Sequence, residues 1–250
     1  MRYLHVANDL VDPTTVQMPK MKMVASGIRK VQATSSHQKP RLPITPTILN
    51  QIRALWSPKA HDYDTIMLWA ASCLCFFGFF RMGEITTPSD TAYDQARHLS
   101  YADIAVDRVS SPTMLRCHLK QSKTDRFHQG VDIFVGRTDN QLCPVAAMMA
   151  YLAARGAFPG PLFIFKDGRV LSRDRFVAQV RQAIGALGLN SQNYAGHSFR
   201  IGGATTAAEC GLEDSVIEAL GRWESSVFQV YIRTPRDRLA SISQLSSSHT

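Results

Sequence analysis

Residues 66–80 read IMLWAASCLCFFGFF, fifteen positions without a charge, and the run stops at Arg81. A membrane span needs roughly 20 apolar residues, so this segment is too short and ends too abruptly in a cation to be one. A helix apolar on every face has to be enclosed by other elements. The run therefore predicts a buried helix from about Thr65 to Phe80, with the rest of a domain built round it. The chain has 250 residues, 45% hydrophobic and 19% charged, which suits one well-cored domain or one domain plus a fragment of another. That apolar content excludes a wholly disordered chain. The opening MRYLHVANDL lacks the apolar stretch of a signal peptide.

Around the run the pattern is mostly helical. Thr45 as N-cap and Pro46 at the first helical position open a helix carrying Ile48, Leu49, Ile52, Leu55 and Trp56. DIAVDRV, TMLRCHLKQSKT and VDIFVG are short β-rich runs separated by turn formers, which predicts a three-stranded antiparallel meander. Helical patterns return after Pro144, after Ser172 as a cap, near His197, and beyond the Gly211 break; a last one, SVFQVYIR, holds Tyr231. The fold class expected is α+β, mostly α with one small sheet. Before Arg41 a polar stretch, QATSSHQKP, reads as a linker. Five cysteines (Cys73, Cys75, Cys117, Cys143, Cys210) form neither a zinc pattern nor a disulfide framework, as in a reducing compartment.

The formal net charge of +8 favours a polyanionic partner, because Lys and Arg contacts to phosphates release condensed counterions. The argument gains force only where basic residues fall at chemically meaningful positions. Arg81 reads either as a solvated helix C-terminal arginine or as one projected into a cleft, with Glu84 three residues on able to hold it. Lys123 lies at a strand end; Lys120 competes with it, although alternation puts the two on opposite faces. His197 and Arg200 are three apart at a helix start, on one expected face, followed by small residues, GGATTAA. That suits an anion site or simple close packing. Trp223 is ordinarily core and Gly221 ordinarily a helix cap, yet an indole N–H can donate to phosphate. Tyr231 in an apolar stripe is ordinarily packing, and its hydroxyl is a poor nucleophile unless cations surround it.

Taken in order, Arg81, Lys123, His197-x-x-Arg200, Trp223 and Tyr231 resemble the active-site set of the tyrosine recombinases, the phage-integrase family. GHSFRIGGATTAAECGL, IEALGRW and VYIR carry the closest likeness, with the Cre-like tryptophan where many bacterial members have a second histidine. GFFRMGE resembles the family's Gly-x-x-Arg-x-x-Glu box and SKTD its hairpin lysine; RLPITP and YIRTP resemble recombinases of eukaryotic mobile elements such as DIRS-like retrotransposons and Cryptons. The resemblance implies a catalytic domain over 41–250, preceded in 1–40 by the remnant of an N-terminal core-binding domain and a linker. It implies double-stranded DNA as partner and DNA strand cleavage and rejoining through a covalent 3′-phosphotyrosyl intermediate. Arg81 and Arg200 would neutralise the attacked phosphate, His197 and Trp223 add hydrogen bonds, Lys123 protonate the leaving oxygen, Tyr231 attack, and Glu84 orient Arg81. No metal, ATP or other cofactor is implied, since cationic side chains fill the place a metal takes in many nucleases.

Two other readings stay open. One is a DNA-binding or partner-binding module derived from a recombinase and no longer catalytic, in keeping with an abbreviated N-terminal domain. The other is DNA relaxation by the same tyrosine chemistry. Leu239, Ile242 and Leu245 form a short apolar stripe in the C-terminal tail, which either docks on a second copy on DNA or folds onto its own core. The expected setting is intracellular and off the membrane, nuclear if the source is eukaryotic.

Overall fold

The computed structural model describes residues 41–56, 62–121, 129–223, 229 and 232. The expected remnant domain over 1–40, the Tyr231 helix and the apolar tail lie outside the described residues. The apolar run forms a helix, but a shorter one than expected. Helix α1 spans Pro46–Trp56, and α2 spans Tyr63–Phe77. The carboxylate of Asp62 caps α2, accepting from the backbone N–H of Thr65 at 3.0 Å and its hydroxyl at 2.8 Å. At the other end Gly78 closes the helix and Phe79 turns left-handed at φ 51°, so Phe80 and Arg81 leave the helix axis. Nothing in the apolar composition announced that turn. Arg81 instead becomes the N-cap of a one-turn helix, α3, Met82–Ile85.

The enclosure of α2 is as the run demands: every residue from Ala70 to Phe76 is buried. The three strands β1 (Ile104–Val106), β2 (Met114–Leu119) and β3 (Val131–Gly136) pair antiparallel in sequence order, with Cys117 opposite both Ile104 and Ile133. Leu115, Cys117 and Leu119 face inward with Ile133 and Val135, whereas Met114, Arg116 and Phe134 are exposed. Helix α4 (Pro144–Arg155) lies along α2 and also meets β3. Helix α5 (Arg173–Ala186) joins the core through Phe176, whose ring stacks on Phe199 at 5.9 Å. Ser172 stands at the N-cap of α5 as the sequence suggests, but its hydroxyl makes no capping bond. Among the described residues no helix is long and apolar enough to cross a membrane.

Two further helices complete the described fold, α6 (Ser198–Glu209) and α7 (Asp214–Gly221). The small residues of α6 serve close packing. A Cβ on Gly202 would lie 1.8 Å from the carbonyl oxygen of Ile44, and one on Gly203 would lie 2.5 Å from that of Phe76. Glycine at these positions lets α6 press against the end of α2 and the RLPITP strip. Backbone bonds from Leu42 to Asn193 and from Ile44 to Ser198, both 2.9 Å, stitch that strip down. This contact brings the start of α6 to the turn that ends α2. Gly202→Ala should therefore cost about 3 kcal/mol, since the clash is with backbone. Gly185→Ala in α5, where a Cβ meets nothing within 4 Å, should stabilise by roughly 0.5–1 kcal/mol. Urea unfolding of the two variants checks the contrast, and equal effects would contradict the packing described.

Candidate functional site

The turn after α2 collects cations. Its left-handed Phe79 aims one carbonyl oxygen at two arginines: Arg200 Nη1 donates to it at 2.8 Å and Arg222 Nη2 at 3.2 Å. Arg222 Nη1 also donates to the Gly78 carbonyl at 3.3 Å. Arg200, on α6, is fully buried and donates a second bond to the Gly221 carbonyl at the end of α7. The ring of Trp223 covers its guanidinium at 4.3 Å and meets Phe79 edge-on, with centroids 6.3 Å apart. Gly221 has to be glycine for this, because a Cβ there would fall 1.6 Å from the indole. Phe79, Ala204, Ala207 and Ile217 form a small separate core beneath, against which Trp223 packs.

Glu84 lies at the centre of the charges. Its carboxylate accepts from Arg81 Nη1 at 2.8 Å and the Arg81 backbone N–H at 2.7 Å, and from Arg222 Nη2 at 2.8 Å. Guanidinium groups keep their charge at any ordinary pH. Two of them, Arg81 and Arg222, share the carboxylate of Glu84, and Arg200 joins the group through the Phe79 carbonyl that it and Arg222 both bond. Burial of Arg222 lowers its pKa most, Glu84 opposes that shift, and Arg81 adds to it. A cluster of guanidinium groups with low exposure is an attractive place for an anion. Arg81, at 19% side-chain exposure, is its most accessible arginine.

His197 stands at the N-cap of α6 and is exposed, while Arg200 points into the protein. The backbone of His197 is already helical, φ −85° and ψ −13°, and its carbonyl accepts from the Ile201 N–H at 2.9 Å. Gly196, just before it, packs on Met82 of α3, with an ideal Cβ 3.0 Å from the Met82 side chain. This places the start of α6 beside α3, the helix that Arg81 caps. Trp223 presents its ring face to Arg200, a cation–π contact that the sequence did not foretell. Lys123 and Tyr231 lie outside the described residues. Lys120, the competing lysine, is occupied by an ion pair with Asp103 at 2.8 Å and a bond to the Gln95 carbonyl at 2.7 Å.

Arg222 escaped the sequence reading. Gly221 looked like the cap of α7, yet Gly221 is its last helical residue and Arg222 takes the left-handed cap conformation, φ 55° and ψ 47°. The available signal was Glu84: a carboxylate has two oxygens, and Arg81 leaves room for a second cation.

No protein-family model matches the sequence, and no curated protein matches it. Solved structures do match, and these neighbours are tyrosine recombinases. XerA recombinase aligns at a TM-score of 0.56 and 13% identity, covering 83% of this chain and 66% of its own. XerH site-specific recombinase, bound to a palindromic difH substrate in a post-cleavage complex, aligns at 0.57 and 13%, covering 84% and 55%. The chain thus spans between about half and two thirds of the length of these proteins. Its fold, mixed α+β with seven described helices and the three-stranded antiparallel sheet, is that of the tyrosine-recombinase catalytic domain.

Removing the shared carboxylate isolates buried positive charge. Glu84→Ala should destabilise the protein by about 3–5 kcal/mol, the usual cost of breaking a buried ion pair from one side. Chemical denaturation measures it, and a loss below about 1 kcal/mol, the worth of a surface pair, would mean that the cluster is solvated.

Proposed function

We propose that this chain cleaves and rejoins DNA strands through a covalent 3′-phosphotyrosyl link to Tyr231, as a tyrosine recombinase or integrase. The observation that carries the reading is the gathering of three arginines at the end of α2, Arg81 and Arg222 on Glu84 and Arg200 on the Phe79 carbonyl. A phosphodiester under attack gains negative charge on its equatorial oxygens. Planar, permanently charged donors stabilise that state. Arg81 and Arg200 take this part, His197 and Trp223 add hydrogen bonds, and Glu84 orients Arg81. The Tyr231 oxygen forms the new bond to phosphorus while the bond to the 5′ oxygen breaks, and Lys123 gives that oxygen its proton. The engagement of Lys120 with Asp103 and main-chain carbonyls supports Lys123 as the lysine for this role. The phosphotyrosyl ester keeps the energy of the broken one, so rejoining needs no ATP.

The finer assignment follows the sequence. RLPITP and YIRTP favour a eukaryotic mobile-element type, hence a nuclear setting, with the catalytic domain over 41–250 and the end of an N-terminal DNA-clamping domain in 1–40. The stripe of Leu239, Ile242 and Leu245 would join copies on DNA. One observation favours the rival reading of a DNA-binding module without catalysis: Arg200 has no exposed surface. Catalysis requires that binding the phosphodiester uncover it.

A nicked duplex that releases its cleaved end traps any covalent adduct. The wild-type chain should accumulate adduct, and Tyr231→Phe should form none while still binding duplex. Adduct from Tyr231→Phe would remove Tyr231 from its role; salt-dependent binding by wild type with no adduct would favour the module.

A further inference from the structure

Arg222 occupies a backbone conformation that arginine avoids. At φ 55° its Cβ crowds the main chain, and glycine would sit there without strain. Two neighbouring residues in one site, Phe79 at φ 51° and Arg222, share this conformation and are bonded to each other through Arg222 Nη2 and the Phe79 carbonyl. Such strain persists only where the surroundings over-determine it, and it collects at functional sites. A plain reading makes Arg222 a helix cap, since Nη1 donates to the Leu220 carbonyl. That bond is 3.3 Å long, whereas the one to Glu84 is 2.8 Å and charged at both ends. The side chain is 11% exposed, with its guanidinium 5.4 Å from the Phe80 ring centroid. It reaches past its own helix to the turn and to α3.

We propose that Arg222 is a positioning residue: it fixes Glu84 and the Gly78–Phe79 turn, and through them aims Arg81 and Arg200. The assignment rests on the reading that those two arginines hold the attacked phosphate. Glu84 shows why a third arginine is useful. Paired with Arg81 alone it would cancel that charge. Shared between Arg81 and Arg222, it orients Arg81 through one oxygen yet leaves the group as a whole cationic. The Phe79 carbonyl plays the matching part for Arg200, since the same oxygen accepts from Arg222. Arg222 thus ties the α2 turn, α3 and the end of α7 into one unit, and its neighbour Trp223 lies over Arg200.

The test compares wild type with Arg222→Met and Arg222→Lys on a nicked duplex at saturating concentration, alongside 15N NMR of the Arg81 Nη1–H group, the one bonded to Glu84, in the free protein. Arg222→Met should slow adduct formation about 10–100-fold, the usual cost of removing a residue that orients another, with duplex affinity within about threefold of wild type. Arg222→Lys keeps the charge and one bond but not the span, and should recover part of the rate. The Arg81 signal, slow to exchange with water in wild type, should become fast in Arg222→Met. An adduct rate within about threefold of wild type in both variants, with the Arg81 signal unchanged, overturns the proposal. Should Arg222→Met not fold, a wild-type rate in Arg222→Lys together with a protected Arg81 signal overturns it equally. If wild type forms no adduct while Arg81 exchange still depends on Arg222, the recombinase reading fails and the positioning role stands.

Discussion

Arg81 and Arg222 share one carboxylate, Arg222 and Arg200 share one carbonyl oxygen of a single turn, and the surrounding elements are arranged by that constraint. A buried arginine needs acceptors on its fork, and unsatisfied charge in a protein interior costs several kcal/mol. Arg200 finds two main-chain carbonyls, Phe79 and Gly221, that belong to different elements. To supply the first, α2 has to end at Gly78 and Phe79 has to turn left-handed. To supply the second, α7 has to end against α6, with Gly221 bare enough for Trp223 to fold over it. Neither carbonyl faces Arg200 unless α6 lies close to both, which the glycines at 202 and 203 permit.

The apolar run supplies rigidity and the cluster supplies charge, and they meet at Arg81. A helix enclosed on all sides cannot tilt without opening the core, so its end is a fixed reference point. The turn that follows inherits that rigidity, as do the two helices packed on it. Site residues drawn from separate parts of the sequence are thereby held by buried structure rather than by loops. The balance of charge matters as much as the geometry. Without Arg222, Glu84 would pair with Arg81 alone into neutrality.

Periodicity and chemistry made much of this legible in the sequence. The uncharged run, the alternation of Leu115, Cys117 and Leu119, and the Thr45-Pro46 start all state a structural preference locally. The end of α2 was misplaced because the left-handed turn at Phe79 is set by what it packs against and bonds to, not by its own composition. Arg222 was missed for a related reason. Its partner Glu84 lies 138 residues away, and only the folded chain brings them together. Small residues after His197 suited either an anion site or close packing, and Gly202 and Gly203 serve the packing.

The central claim is that the cluster exists to neutralise a phosphodiester. The most direct measurement compares adduct rates of wild type and Arg81→Met on two nicked duplexes, one normal and one with an uncharged methylphosphonate at the attacked position. Arg81 is partly exposed, so the substitution spares the core. On the charged phosphate the variant should lose about 10²–10³-fold, the usual scale for a preorganised charge-stabilising donor. On the neutral linkage, where there is little charge left to neutralise, the gap should shrink to about tenfold or less. An equal penalty on both substrates would contradict the account.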